Sequence, residues 1–321
     1  MPARLKVRLA GGYYFHTLTR AVRDLQPLLT LDEPRVVEVD MSDLTFMGPA
    51  ALALTAAALH KVFDGNSSLP GSHIVAPRAI GIHRYLHRMD FLSLVLDAPN
   101  LTDPTEAERH ATRGFRECQR FREDEECRQV ARSLVDSARE RVLIDETAGQ
   151  SLYTCLTELA ENVYFHADAP LGGYAAAQAL SHSAEVELAI VDLGVGIHAS
   201  LSKNPDYTDE ASDDLTAINL ALIPTVTATP GRNSGYGLTF AQLLLALNGG
   251  RLMVRSGHGH VQRGAKRVDK VEQEHLPGTL VGMRLRTDRP FDYSKAWQAL
   301  GDAIKNLPDV PRSHTPDVQP G

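Results

Sequence analysis

The sequence predicts an α/β chain built from two domains, of which the second is of the α+β kind. Its 321 residues are enough for two domains that each bury a core. Residues 1–95 alternate strand and helix patterns in the order β-α-β-α-β-α, which implies a small sheet with crossover helices. The second part combines amphipathic helices with strands that end at glycines, which predicts a further domain that contains both helices and strands.

Each element of the first part has its own local signal. RLKVRLA at 4–10 alternates polar and apolar residues, as a half-buried strand does, and apolar residues recur at helical spacing over 16–29. A β-branched run then ends at acidic, turn-forming residues, and Pro49 suits the first turn of the next helix. The later elements are a strand at 35–44, a helix at 46–63, a strand at 73–76 and a helix at 80–89.

A stretch rich in Pro, Asp and Thr at 96–108 is the predicted domain boundary. A charged helix follows over 113–142, and its apolar stripe predicts one buried face. We therefore expect a first domain at 1–100, a linker with a connecting helix at 101–144, a second domain at 145–290, and a last helix with a disordered tail at 291–321.

The predicted helix at 151–166, SLYTCLTELAENVYFH, carries the strongest functional signal. Leucine and valine residues form one apolar stripe along it. Glu158, Asn162 and His166 follow one another at four-residue spacing on the other face, so their side chains point the same way. A carboxylate that takes up a proton thus lies one turn before an amide oxygen that holds a hard cation. For this stretch alone, the alternative is a solvated helix face.

Two glycine-rich motifs follow this helix. AEVELAIV predicts a strand with one face on a core, and it ends in DLGVG at 192–196, where an aspartate precedes two glycines that permit close backbone approach. GRNSGYGL at 231–238 leads directly into an apolar helix, and the unsatisfied amides of such a helix start bind anions. A strand at 251–256, a loop to 278 and a final strand at 279–287 complete the domain.

In this order, ELAEN on a helix, DLGVG at a strand end and GRNSGYGL before a helix resemble the N, G1 and G2 boxes of the GHKL ATPase superfamily. That group includes gyrase, sensor histidine kinases and anti-sigma-factor kinases. PGT before the last strand fits the same pattern, and the resemblance covers about residues 115–287. It implies a Bergerat-fold α/β sandwich, a mixed sheet with helices on one face, that binds ATP and Mg²⁺. The ligand-contacting residues that it implies are Asn162, Asp192, Gly194, Gly196, Gly231, Arg232, Gly235, Tyr236, Gly237, Leu238 and Thr279.

The resemblance also implies a role for each main residue. Asn162 corresponds to the magnesium-holding asparagine, and Asp192 to the carboxylate that accepts a hydrogen bond from the adenine amino group. Thr279 corresponds to a hydroxyl that helps hold a water beside the adenine, and the glycine turn would cradle the phosphates. Glu158 corresponds to the catalytic glutamate that orients or deprotonates the attacking nucleophile, which permits hydrolysis or phosphoryl transfer.

Other polar residues near these motifs receive more ordinary interpretations. Glu161 is interpreted as a solvent-facing neighbour of Asn162, and His166 as a structural or phosphate-adjacent group. Arg232 is either a contact to the terminal phosphate or an exposed lid residue. His258 and His260 lie on a predicted hairpin without further ligands, so they predict no metal site.

The first domain resembles the STAS domains of bacterial regulators over about residues 1–95, through VVEVDMSDLTFMGPAALALT. In that family a phosphorylatable serine opens the helix after the acidic turn. The corresponding positions here are 48–51, GPAA, without a hydroxyl, and Thr55 would be buried. The resemblance therefore implies a docking or dimerisation module without a phosphorylation switch. The alternative is a domain that only stabilises its neighbour.

Composition limits the remaining function classes. The formal net charge of −7 gives no electrostatic reason for nucleic-acid binding. The sequence has neither an apolar run that spans a bilayer nor a signal-peptide core, and its three scattered cysteines indicate reduced thiols in a cytoplasm. Besides ATP, we expect a protein partner through the first domain, and a homodimer is compatible with the sequence.

Three functional hypotheses follow. Because STAS and GHKL folds act as partners in bacterial regulation, their fusion favours a nucleotide-dependent switch or a serine/threonine protein kinase of the anti-sigma-factor type. The alternatives are an ATPase whose hydrolysis drives dimer opening and closing, and a non-catalytic ATP-binding interaction module. The fold alone does not choose among them, because one fold hosts several chemistries.

Overall fold

The computed structural model of the chain describes residues 4–64, 67–96, 115–139, 146–180, 183–228 and 235–307. These residues form a mixed α/β structure with parallel and antiparallel strands, as predicted. The strands are β1 Arg4–Arg8, β2 Gly11–Tyr13, β3 Val36–Asp40, β4 Leu44–Met47, β5 His73–Val75, β6 Phe115–Phe121, β7 Gly173–Leu180, β8 Glu185–Asp192, β9 Arg251–Arg263 and β10 Val268–Arg286. The helices are α1 Leu18–Leu29, α2 Pro49–Phe63, α3 Ile80–Arg88, α4 Phe91–Leu96, α5 Asp124–Arg139, α6 Glu146–His166, α7 Gly196–Leu201, α8 Asp214–Ala221, α9 Gly237–Asn248 and α10 Tyr293–Lys305.

Parallel strands form the small sheet of the first part, as the β-α-β order predicts. They lie in the order β1-β3-β5, and β2 pairs with β4 in a separate two-stranded parallel sheet. The predicted start of the second helix is wrong, because Phe46 and Met47 belong to β4 and α2 begins at Pro49. Proline has no amide hydrogen to donate and is therefore well suited to the first position of a helix.

Five strands in the order β6-β7-β8-β10-β9 form the large sheet of the second part. The prediction of a mixed sheet is wrong here, because every described strand pair in it is antiparallel. The reason is visible in the connections: β7 ends at Leu180 and β8 starts at Glu185, and a link this short joins antiparallel neighbours. Helices α5, α6 and α9 pack on one face of this sheet.

The predicted helix over 113–142 is wrong in its first part. Residues Phe115–Phe121 form β6, which pairs with β7 at the edge of the large sheet. Helix α5 begins only at Asp124, where three acidic residues in its first turn suit the positive end of the helix dipole. Residues 115–139 therefore belong to the large sheet and its helix layer, although they were predicted as part of a linker at 101–144. The segment 97–114, with most of the predicted boundary, lies outside the described residues.

The predicted loop at 257–278 is also wrong. These residues extend β9 and β10 into a long hairpin that turns near Gly264. The outer part of β10, from Val268 to His275, is mostly exposed, so it lacks the apolar alternation by which a strand is recognised in a sequence. Along this hairpin, Thr19 of α1 donates a hydrogen bond to Glu272 at 2.7 Å.

The large sheet is buried on both faces, so the prediction of one buried face for β8 is wrong. Val186, Leu188 and Ile190 point to the core under α5, α6 and α9, whereas Ala189 and Val191 point to the opposite side. Residues of α1, α2 and the first sheet complete the core on that opposite side. The two predicted domains therefore share one hydrophobic core.

Helix α2 makes most of this connection, because it packs directly on β7 and β8. All of its residues except Lys61 and Phe63 are buried, as expected for a helix that is apolar on every side. Thr55 is buried, as predicted, and its hydroxyl donates to the carbonyl of Ala51 at 2.7 Å.

Glu187 of β8 makes a buried polar contact between the two parts. Its carboxylate accepts hydrogen bonds from Nη2 and Nε of Arg284 on β10, at 2.9 and 3.1 Å. A longer bond of 3.4 Å comes from the amide of Ala50 in the first turn of α2. Burial raises the pKa of Glu187, and the Arg284 guanidinium opposes this rise. The carboxylate thus lies at the positive end of the α2 dipole.

The C-terminal helix is confirmed as α10, and Asp292 caps it by accepting a hydrogen bond from the Lys295 amide at 3.0 Å. The predicted tail beyond residue 307 lies outside the described residues. Cys118, Cys127 and Cys155 are buried and form no disulfide. Within the described ranges, none of the helices is both long enough and apolar enough to cross a membrane.

Candidate functional site

A cleft of about 870 Å³, counted up to its open mouth, lies between α6, the segment from α7 to α8, and the start of α9. Ile190 of β8 and Val281 of β10 contribute to its apolar floor. The sequence-predicted site residues that line it are Glu158, Asn162, Asp192, Gly196, Gly235, Gly237, Leu238 and Thr279.

Helix α6 presents two of these residues, Glu158 and Asn162, to the cleft. They are one turn apart, so a carboxylate and an amide face the same ligand space. The side chain of His166 lies outside the described residues. Glu161 does not line the cleft and was wrongly predicted to face solvent: its side chain is only 20% exposed and turns towards Arg128 of α5, at 3.9 Å.

Asp192 ends β8 at the bottom of the cleft and is 4% exposed. Its Oδ1 accepts a hydrogen bond from the Gly194 amide at 2.8 Å. Burial raises the pKa of Asp192 to about 7, and the amides of Gly194 and Thr279 oppose that rise. The group therefore changes charge near neutral pH, and it can accept a hydrogen bond from a ligand donor.

The two glycines after Asp192 have different tasks. Gly196 lines the cleft, with φ +80°, as the predicted close approach requires. Gly194 instead fits against the end of α6, where an added Cβ would lie 1.9 Å from the carbonyl oxygen of Ala167. The next amide, of Val195, donates to that same oxygen at 2.7 Å. Gly194 therefore holds the β8 end against α6 and does not itself line the cleft.

The start of α9 forms the other end of the cleft. Helix α9 begins at Gly237 without a hydrogen bond from a capping side chain, and its first turn, with the positive end of the helix dipole, lies at this end of the cleft. Glu158 packs against this start: an added Cβ on Gly237 would lie 3.0 Å from its Oε2. Tyr236 precedes the helix, at its N-cap, without lining the cleft. Gly231 and Arg232, also predicted to contact the ligand, lie outside the described residues.

Residues 197–228 form a lid over the cleft with a small apolar core of their own. The buried side chain of Asn204 ties the two ends of the lid together, because its Nδ2 donates to the carbonyl of Thr227 at 2.9 Å. The hydroxyl of Thr239 on α9 donates to the carbonyl of Leu222 at 3.0 Å. The lid is therefore hydrogen-bonded to the first turn of α9, and the two together form one side of the cleft.

Ser256 is a site residue that the sequence did not reveal. It is 2% exposed on β9, and its hydroxyl joins the backbone at Ile197 to the backbone at Gly278. One sequence signal indicates its position. Leu252, Val254 and Ser256 follow at two-residue spacing on one face of β9, and the first two belong to the core under α6. A polar residue at a core position of a strand needs a hydrogen-bond partner.

The charges around the cleft limit what it can bind. Among the described lining residues, the charged side chains are the carboxylates of Glu158 and Asp192. The histidines of the long hairpin lie elsewhere: His260 is buried, and its Nδ1 is 2.9 Å from Oε1 of Glu272. The described residues contain no group of three or more His, Cys, Asp or Glu side chains arranged to hold a metal. A magnesium ion beside Asn162 would therefore take most of its ligands from water and phosphate.

No model of a known protein family matches the chain, and no curated protein matches it either. The chemistry of the cleft is therefore the basis for assigning a function.

Proposed function

We propose that the chain is an ATP- and magnesium-binding regulatory protein, with a GHKL-type nucleotide domain over about residues 115–287 and a STAS-like part over 1–95. It acts as a nucleotide-dependent switch or as a serine/threonine protein kinase of the anti-sigma-factor type. One observation carries the proposal. Motifs that are far apart in the sequence, at 158–162, 192–196, 235–238 and 279, meet in one cleft.

The adenine base occupies the end of the cleft at Asp192. A buried carboxylate oxygen there accepts a hydrogen bond from the exocyclic amino group of adenine. Guanine carries an acceptor oxygen at the corresponding position, which the carboxylate repels. The apolar side chains of Ile190 and Val281 supply flat contact surface for a base.

The phosphates extend towards the start of α9. The first-turn amides and the positive dipole end of a twelve-residue helix stabilise negative charge there. Magnesium supplies positive charge at this end, where the described lining residues include no lysine or arginine. Asn162 is one protein ligand of this ion, with phosphate oxygens and water completing the shell.

Glu158 is the proposed base for the chemical step. It lines the cleft and packs on Gly237 at the phosphate end, so it is placed to orient a water or a hydroxyl nucleophile and to accept its proton. Glu161 is excluded from this role because it turns towards Arg128 and away from the cleft.

The buried contact between α2 and the large sheet bears on the role of the first part. Since α2 is covered by β7 and β8, a partner protein meets the other surfaces of residues 4–96. The shared core gives a physical link between the ligand cleft and such a partner surface, as a switch requires.

The experiment compares two neighbouring glutamates of α6 in the full chain. Glu158→Gln is expected to bind ATP with magnesium as wild type does but to lose turnover and transfer of the labelled γ-phosphate. Glu161→Gln is the matched control, with the same helix and the same chemistry, and it should keep both activities.

The same assays separate the three reactions. Label transferred to a partner protein supports the kinase, and steady release of phosphate without a partner supports the ATPase alternative. Tight binding of ATP without either reaction supports the non-catalytic module. Absence of ATP binding in the wild-type chain contradicts the proposal as a whole.

A further inference from the structure

Ser256 lies opposite Thr279 at the point where Pro277 and Gly278 interrupt the pairing of β9 with β10. Its buried hydroxyl donates to the carbonyl of Gly278 at 2.8 Å and accepts a hydrogen bond from the amide of Ile197 at 2.9 Å. A single hydroxyl thus connects the bulge in β10 to the first turn of α7.

The two connected backbone segments lie on either side of Asp192. On one side, the amide of Gly194 donates to its Oδ1 at 2.8 Å. On the other, Thr279 pairs with Asp192 across the sheet, and its amide also bonds the carboxylate. Gly278 also packs against the Asp192 carboxylate, because a Cβ added to Gly278 would lie 2.6 Å from Oδ1 of Asp192.

We propose that Ser256 is a positioning residue for the base end of the cleft: its hydroxyl fixes the segments 194–197 and 278–279 relative to each other and thereby aims the Asp192 carboxylate at the amino group of an adenine ring. Ser256 does not itself line the cleft, so it acts through Asp192. The adenine part of this inference rests on the proposed function, whereas the control of Asp192 does not.

The surroundings explain why a serine occupies this position. The space is tight, because an added Cβ on Gly196 would lie 2.8 Å from the Ser256 hydroxyl. Alanine would leave the amide of Ile197 and the carbonyl of Gly278 without this partner in a buried place. Cysteine keeps the volume but bonds weakly, and threonine keeps the hydroxyl.

The first measurement uses the ligand-free full chain. In wild type, NMR of the side-chain carboxyls should give Asp192 a pKa of about 7. In Ser256→Ala the amides that lower this pKa are held less firmly, so the midpoint should rise, and Ser256→Thr should restore it. Ser137→Ala is the matched control, because Ser137 is an equally buried serine on α5, outside the cleft lining. If the alanine variant does not fold, Ser256→Cys should shift the midpoint in the same direction.

The second measurement is the affinity for ATP with magnesium and, separately, for inorganic triphosphate with magnesium. Ser256→Ala should bind ATP about tenfold more weakly, the effect of losing roughly one buried hydrogen bond. Its affinity for triphosphate should stay unchanged, because that ligand has no base. Ser256→Thr should recover ATP binding.

The two measurements separate the possible failures. An unchanged Asp192 midpoint in Ser256→Ala, together with unchanged ATP binding, overturns the inference, as does an equal loss of affinity for ATP and triphosphate. A shifted midpoint in a chain whose wild type binds no ATP supports the control of Asp192 by Ser256 and contradicts the proposed function.

Discussion

The pKa of Asp192, raised by burial to about 7, predicts that adenine binding strengthens as pH rises. The ionised fraction of such a group grows from about one tenth at pH 6 to about nine tenths at pH 8. A hydrogen bond to a charged acceptor is about 1 kcal/mol or more stronger than one to a neutral acceptor. The dissociation constant for ATP with saturating magnesium should therefore fall about four- to tenfold between pH 6 and pH 8.

Asp192→Asn is the matched control for this pH dependence, because it keeps the shape of the side chain but cannot ionise. Calorimetric titrations at several pH values should show the fall in the dissociation constant for wild type and a flat profile for the variant. The free energy of unfolding gives a ligand-free check. The native carboxyl keeps its proton from about pH 4 to about pH 7, where the unfolded one has released it, so stability should fall as pH rises through that window. Identical pH profiles for wild type and Asp192→Asn would refute the reasoning.

Three further predictions concern packing, the buried ion pair and the metal. Gly194→Ala should lower the free energy of unfolding by about 1–3 kcal/mol in urea titrations, because the added Cβ meets the carbonyl of Ala167. Gly81→Ala is the control: its added Cβ meets nothing within 4 Å, so the free energy of unfolding should not fall. Arg284→Met should cost about 3–5 kcal/mol by leaving the buried Glu187 carboxyl without its guanidinium partner, and the double variant with Glu187→Leu should cost clearly less; additive losses would contradict a coupled pair. Removing magnesium with a chelator should weaken ATP binding more than about tenfold and leave adenosine binding unchanged, and equal losses for both ligands would contradict a metal-held phosphate end.

Much of the site could be predicted because its signals are local. Four-residue spacing alone puts Glu158 and Asn162 on one helix face, and an aspartate before glycines predicts the strand end at Asp192. A glycine turn before an apolar run predicts the free amides at the start of α9. Each of these inferences needs only neighbouring residues.

The missed features depend on residues that are distant in sequence. Strand β6 is charged and was predicted as helix, because only its pairing with β7 makes it a strand. The outer part of β10 carries no apolar alternation, because it is mostly exposed and has polar contacts such as the one with Thr19. Ser256 was missed because its role is defined by two backbone partners at Ile197 and Gly278, which are 59 and 22 residues away.

The shared core also depends on contacts between residues that are distant in sequence. The composition of α2 predicts a helix buried on every side, but it does not say what covers each side. The two parts were therefore predicted as separate domains. Only the alternation along β8, with Ala189 and Val191 facing α2, identifies the large sheet as the covering surface.

The most direct test of the central claim is a calorimetric titration of the full chain with ATP and with GTP, each with magnesium, near pH 8. The geometry of Asp192 and the cleft predicts saturable binding of one ATP per chain and affinity for GTP at least about tenfold lower, since guanine offers an acceptor where the carboxylate needs a donor. Absence of ATP binding, or equal affinity for the two nucleotides, would contradict an adenine-reading cleft.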